Sequence, residues 1–150
     1  LRFNNPYRLE KPLGSTAESV SLSARYLDLG LGVLSQYAGR FQHGVHLHWS
    51  RSLSGIPQSV VTPSYMVLYR PSASYWAYAR GGVPFVLSPD KNMGGEIALG
   101  GAWFALSGIG LTAEIGGDGF YGAATREVSA TFIPILYAQA GLVFDLEILR

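Results

Sequence analysis

The sequence predicts an all-β chain, a single antiparallel up-and-down transmembrane β-barrel of about eight strands. Three observations predict it: apolar residues recur with a period of two, charge is scarce, and glycine-rich turns punctuate the chain at short intervals. Residues 44–55, GVHLHWSRSLSG, show the period plainly, with Val45, Leu47 and Trp49 alternating with His46, His48 and Ser50. Successive side chains of a strand point to opposite faces, so this stretch has one oily face and one wet face.

Composition narrows the class. A chain of 150 residues is one domain with room for a core. Its 11 Lys and Arg against 10 Asp and Glu give a net charge of +1, without the clustered basic residues of a nucleic-acid footprint. Charged residues make up 14% of the chain, where soluble domains carry about 25%. So few charges cover a water-facing surface poorly, but they suit a lipid-facing one. There is no cysteine, which excludes disulfides and thiolate chemistry. The first residues, LRFNNP, have neither the basic nor the apolar stretch of a secretory signal. For an exported chain the expectation is therefore a signal that has been removed or is missing from this sequence.

Residues 1–17 read as an N-terminal arm and 18–150 as the barrel. From Ser19, the residues Val20, Leu22, Ala24 and Tyr26 share a phase, which then slips to Leu27, Leu29, Leu31 and Val33. A one-residue slip swaps faces unless a bulge absorbs it, so a bulge or break belongs near Tyr26. A strand follows over 41–53, then a connection over 54–63, a short strand over 64–70 and a turn at 71–74. Residues 75–87 form a strand with Pro84 as a local defect, and SPDKNMGG (88–95) forms a loop. Residues 96–106 and 109–116 make a hairpin joined at Ser107-Gly108. GGDGFYGAATRE (116–127) is the longest exposed loop. The last apolar phase, over 128–149, is too long for one strand, so Pro134 is expected to split it in two; an eighth strand from the N-terminal arm is the alternative.

Two uncharged windows, Ile97 to Ala113 and Val128 to Phe144, invite a reading as transmembrane helices. Gly100, Gly101, Gly108 and Gly110 in the first weaken a helix by roughly 1 kcal/mol each. Pro134 and the even-numbered apolar positions fit strands in the second.

Period alone does not say which face is inside. The wet face collects Asp28, His46, His48, Glu96, Glu114, Asp145 and Glu147, interleaved with Gly30, Gly32, Gly100, Gly110 and Gly141. Small and ionisable residues can share a narrow lumen if the carboxylates pair with cations such as Arg25, Arg70 or Arg80. The other face is Leu, Val, Ile, Ala, Phe and Trp, as lipid requires. Tyr26, Tyr37, Trp49, Tyr65, Tyr69, Tyr75, Trp76 and Tyr121 fall toward segment ends, as interfacial girdles do.

The stretches GGEIALGGAWFALSGIGLTAEI (94–115) and LYAQAGLVFDLEI (136–148) resemble the hairpins and closing strand of small bacterial outer-membrane β-barrel proteins. TPSYMVLYR and FYGAATREV add a likeness to uncharacterised myxobacterial envelope barrels. The resemblance implies a Gram-negative outer-membrane location and a barrel architecture, and it brings no catalytic residues. The chain departs from the pattern in ending Leu149-Arg150, with Phe144 its last aromatic.

Motifs for chemistry are sparse. His46 and His48 have the spacing of a two-imidazole metal site, but His43 lies in the opposite phase, so hydrogen-bonded lumen histidines are expected and no metal. Glu96 and Glu114 face each other across a hairpin in this reading, as a salt-bridged network without acid–base work. SPDKNMGG lacks calcium-loop spacing, and GGDGFYG lacks the Lys-Ser/Thr of a phosphate loop. No cofactor and no enzymatic activity are expected. Phe120, Tyr121 and Arg126 in the longest loop, together with SGIPQSVV (54–61), are the candidate partner-binding positions. The expected role is structural or interactive, with the lipid bilayer, an envelope or membrane protein, or further copies of the chain as partners. The alternative is a barrel that binds or transports a small apolar ligand, in the outer membrane or as a soluble lipocalin-like protein.

Overall fold

The computed structural model describes residues 2–3, 22–54, 57–88, 91–106, 108–121 and 132–146. It is a closed antiparallel β-barrel without a helix among the described residues. The strands are β1 (Arg2–Phe3), β2 (Leu22–Ala24), β3 (Tyr26–Ala38), β4 (Phe41–Ser52), β5 (Ser59–Ser72), β6 (Tyr75–Gly82), β7 (Phe85–Ser88), β8 (Asn92–Leu106), β9 (Ile109–Tyr121) and β10 (Phe132–Phe144). Neighbours follow the order β2-β1-β10-β9-β8-β6-β5-β4-β3, and β7 pairs with β5 and β8. β2 and β3 are one path interrupted at Arg25, where the apolar phase slips. The ring closes through β1, since Arg2 is paired with Tyr137 of β10 on one side and with Ala24 of β2 on the other.

One end of the barrel carries tight turns at 39–40 and 73–74 and the turn residue Gly108 between β8 and β9. Gly39 and Gly108 have φ of 60° and 78° there, a conformation that glycine adopts without a Cβ penalty. The other end holds the strand ends between which the chain passes from β4 to β5, from β7 to β8 and from β9 to β10.

Several expected boundaries move. Residues 59–63 are not a connection but the start of β5, with Val60 and Thr62 buried. Pro63 is tolerated because its carbonyl accepts from Val83 N–H at the break between β6 and β7; its missing donor faces that break and not a continuous ladder. Pro84 does interrupt its strand, dividing 75–88 into β6 and β7. β8 begins at Asn92, inside the expected loop 88–95. β9 runs on to Tyr121 and takes up half of the expected loop 116–127. Pro134 does not split the last segment; it lies within β10, paired with Gly119. The N-terminal arm, not that split, supplies the strand that closes the ring.

The polarity of the wall is inverted relative to a soluble protein. Leu31 is 75% exposed and Ile97 72%, with Leu29, Val33, Val45, Leu47, Leu99, Ile115, Leu142 and Phe144 exposed as well. His48, Ser50, Thr62, Arg80, Glu96, Glu114 and Asp118 are buried inside. Arg51, near the end opposite the tight turns, is the only formally charged residue among the outward strand positions described. Phe41, Tyr69, Tyr75, Trp103 and Phe144 form an outward aromatic rim at the tight-turn end. Tyr26 and Trp76, expected in such a rim, turn inward instead: Tyr26 packs on the interior apolar cluster and Trp76 stacks on Phe104.

Candidate functional site: a charged plug in the lumen

The alternation that makes the outer wall apolar sends its complement inward, and three layers fill the lumen. At the end opposite the tight turns Val60, Val86, Phe120 and Ile135 form an apolar cluster, with Tyr26 packed against it. The Tyr26 hydroxyl donates to Gln58 Oε1. The sequence predicts Phe120 as a partner-binding loop residue. It lies instead in β9, 1% exposed, in this cluster. Glu114, Gly116, Asp118 and Phe120 keep one phase, and the glycines around them look like a loop in sequence while serving a strand.

The middle layer is ionic. Arg80 of β6 is 3% exposed. Its Nε and Nη2 donate to both carboxylate oxygens of Glu114 on β9, at 2.9 and 2.7 Å. Its Nη1 donates to Glu96 Oε1 on β8, and Nη2 also to the Tyr137 hydroxyl on β10 at 2.9 Å. Tyr137 O–H in turn donates to Glu114 Oε1 at 3.1 Å, and Gln139 Nε2 donates to the same oxygen at 2.7 Å. One guanidinium thus ties four strands together in two-pronged, charge-assisted bonds. Glu96 and Glu114 come together through Arg80; the hairpin register sets Glu96 opposite Asp118 and Glu114 opposite Gly100, not opposite each other.

Glycines make room for the large inward rings. Tyr78 lies across Gly100, its register partner, and Tyr137 across Gly116. A side chain at either glycine would collide with the ring. Tyr78 and Thr112 hydroxyls meet at 3.4 Å beside the Arg80 network.

The histidine face adjoins this layer. His48 Nε2 lies 3.6 Å from Asp28 Oδ1, and the His46 and His48 rings are 6.0 Å apart. His46 lies over Gly30 and Gly32, and its carbonyl accepts from Ser64 Oγ at 3.1 Å. His43 is on the outer wall, its Nδ1 2.6 Å from Tyr65 Oη. The three histidines therefore do not share a face.

At the tight-turn end Arg70 Nη2 approaches Asp145 Oδ2 at 3.3 Å, bridging β5 to the end of β10. The Arg70 guanidinium also sits 5.2 Å from the Trp76 ring centre, and Trp76 packs on Phe104 at 4.4 Å. Of the expected cations, Arg80 and Arg70 pair with lumen carboxylates. Glu147 and Arg126 lie outside the described residues, as does the side chain of Tyr121, whose backbone ends β9. Sequence reasoning passed over Tyr137, Gln139 and Tyr78 as network members and Asp118 as a buried lumen acid. Their phase carried the signal: Tyr137 and Gln139 share that of Asp145, and Asp118 that of Glu114.

On the outer wall a shallow apolar groove of about 850 Å³ crosses β6, β8, β9 and β10. Gly101, Ala113 and Ala140 form its floor, with Tyr75, Trp103, Leu111 and Leu142 along one side.

Fold and site together define a class: a small inside-out β-barrel with a plugged, ion-paired lumen. No family model, curated protein or solved structure matches the chain.

Proposed function

We propose that this protein is a small β-barrel of a Gram-negative outer membrane, with a structural or interaction role in an envelope assembly. The observation that carries the proposal is the inverted polarity of the wall: a band of exposed Leu, Val and Ile outside, with His, Glu, Asp and Arg buried within. Soluble monomers rarely expose apolar patches larger than a few hundred Å². Strands of 12 to 15 residues, such as β4 and β8, exceed the 9–11 or so that a tilted transmembrane strand needs. The aromatic rim suits one membrane interface.

The plug supports a role other than conduction. Arg80 with Glu96, Glu114 and Tyr137 occupies the middle of the lumen, and apolar or aromatic layers close it above and below. Barrels of about eight strands have interiors that side chains just fill. Function then falls to the outer wall and the connections, which meet lipid and a partner membrane or envelope protein.

The test is detergent extraction of the membrane fraction followed by SDS gel migration with and without boiling. A folded transmembrane barrel shifts in apparent mass on heating. Recovery in the soluble fraction without detergent, with one unchanging band, would refute the proposal.

A further inference from the structure

Two exposed cations stand on the outer wall, apart from the lumen network. Arg51 of β4 has the outward phase and lies opposite Leu27 of β3 and Ser59 of β5. Arg25 lies in the interruption between β2 and β3, and its carbonyl accepts from Leu53 N–H at 2.8 Å. It therefore stands beside Leu53, one diagonal step from Arg51. Diagonal neighbours on adjacent strands are about 7–8 Å apart, a gap that two guanidinium arms can close onto one small ion. Both arginines are exposed.

No described acid reaches either guanidinium. Glu96 and Glu114 are held by Arg80, and Asp145 by Arg70. Asp28 lies beside His48 on the inner face, and Asp118 is buried in the lumen. The neighbouring hydroxyls add donors. Trp49 Nε1 donates to Ser59 Oγ at 2.9 Å, and Arg25 N–H donates to Ser54 Oγ at 3.1 Å. Each hydroxyl accepts in that bond and keeps its own proton to donate. Two guanidinium forks, whose geometry matches phosphate in paired bonds, thus share one patch of the rim with two hydroxyls.

The surroundings specify what carries the anion. Leu27, Leu29, Leu47 and Leu53 are exposed around the pair. Trp49 is the next outward residue of β4 toward the tight turns, between Leu29 and Val61. That is about 7 Å along the strand. An indole ring with a hydrogen-bonded N–H suits the boundary between the polar and apolar zones of a bilayer. The patch is cationic on one side of this boundary and oily on the other. A free anion would meet only the cationic side. A phosphorylated lipid meets both.

We propose that Arg25 and Arg51 form a headgroup site for a membrane lipid that carries a phosphomonoester. The phosphate sits between the two guanidinium groups, with the Ser54 and Ser59 hydroxyls at its flanks. The acyl chains run down the wall over Leu27, Leu29 and Leu47. A phosphomonoester carries about −1.5 to −2 charges near pH 7, which balances two arginines; a diester, with a single charge, balances one. The proposal rests on the outer-membrane reading above and deepens it by naming a ligand and its place on the wall.

The test is native mass spectrometry of the whole protein folded in detergent micelles, with dioleoyl phosphatidic acid and dioleoyl phosphatidylcholine added in equal amounts. Attraction to anionic lipid is worth about fivefold in affinity per basic residue. Phosphatidic acid is therefore expected to be retained about 25-fold better than phosphatidylcholine, as the product of two such factors. Arg25→Gln and Arg51→Gln should each lower that preference to about fivefold, and the double variant should abolish it. Arg40→Gln, in the exposed turn at the opposite end, should leave it unchanged. Equal retention of the two lipids, or a preference that survives in the double variant, overturns the proposal. So does displacement of the lipid by millimolar inorganic phosphate, which would make the patch a site for a free anion. Displacement by the peptide Ac-DDDD-NH2 also overturns it, and assigns the patch to an acidic partner protein. The heat shift in SDS gels is read on the same samples. A normal shift without lipid preference refutes the headgroup site alone, whereas a missing shift refutes the membrane reading.

Discussion

Arg80 is the residue on which the lumen depends. It is the cation for Glu96 and Glu114 alike, with each partner about 4% exposed. Removing one member of a buried ion pair strands the other, at a cost of about 3–5 kcal/mol. Arg80→Leu is therefore expected to lower the unfolding free energy of the barrel in micelles by that much, read as a fall in the urea midpoint at unchanged slope. Adding Glu96→Gln and Glu114→Gln to the same chain should recover much of the loss, because replacing the charges together removes the uncompensated carboxylates. Equal midpoints for the wild type and Arg80→Leu would show that the network carries no stability. At this scale much was legible. The phase of Glu96, Glu114, His46 and His48 put them on the inward face, and pairing with Arg80 follows from the cost of burying a lone charge. Which carboxylate meets which neighbour was not legible, because it depends on strand register. Phe120 was misplaced because glycine-rich sequence is read as loop, whereas here glycine gives space to Tyr78 and Tyr137.

Strands were legible wherever alternation ran unbroken, as in β4 and in the β8–β9 hairpin. They were misjudged at Pro63 and Pro134, while Pro84 interrupts its strand as expected. Pro63, Pro84 and Pro134 look alike in sequence, yet only Pro84 ends an element. The difference is what faces each imide nitrogen across the sheet, which neighbouring strands decide. Pro63 faces the β6–β7 break, where Val83 N–H reaches its carbonyl. Pro63→Val should accordingly leave stability within about 0.5 kcal/mol, the range of a neutral surface change. Val67 lies on the same strand but is flanked by His43 of β4 and Ala79 of β6 in continuous ladders. Val67→Pro should lose a ladder bond and leave a carbonyl unsatisfied, at about 1–3 kcal/mol. The two variants, compared by denaturant midpoint in one detergent, check the assignment of the break; a loss at Pro63→Val equal to that at Val67→Pro contradicts it.

For the whole molecule, the decisive quantity is the medium around the wall. The same fold permits water outside, where exposed leucines are an aggregation hazard, or hydrocarbon, where they are the stable choice. A single outward charge distinguishes the two. Leu99 is exposed near mid-height on β8, between Ala79 and Ile115, and far from either rim. In a bilayer, arginine at the midplane of a barrel's lipid face costs about 2–4 kcal/mol. In water an exposed Leu→Arg change lies within about 0.5 kcal/mol of neutral. Leu99→Arg is expected to reduce folding stability in phospholipid vesicles by the larger amount, read from reversible urea titrations of tryptophan fluorescence. Arg51 supplies the internal control, since it already places a charge near the end of β4: Arg51→Leu should change vesicle stability little, because charge near the interface costs only about 0–1 kcal/mol. If Leu99→Arg were as harmless as Arg51→Leu, the band would not be facing hydrocarbon, and its exposed Leu, Val and Ile would need a protein partner to cover them.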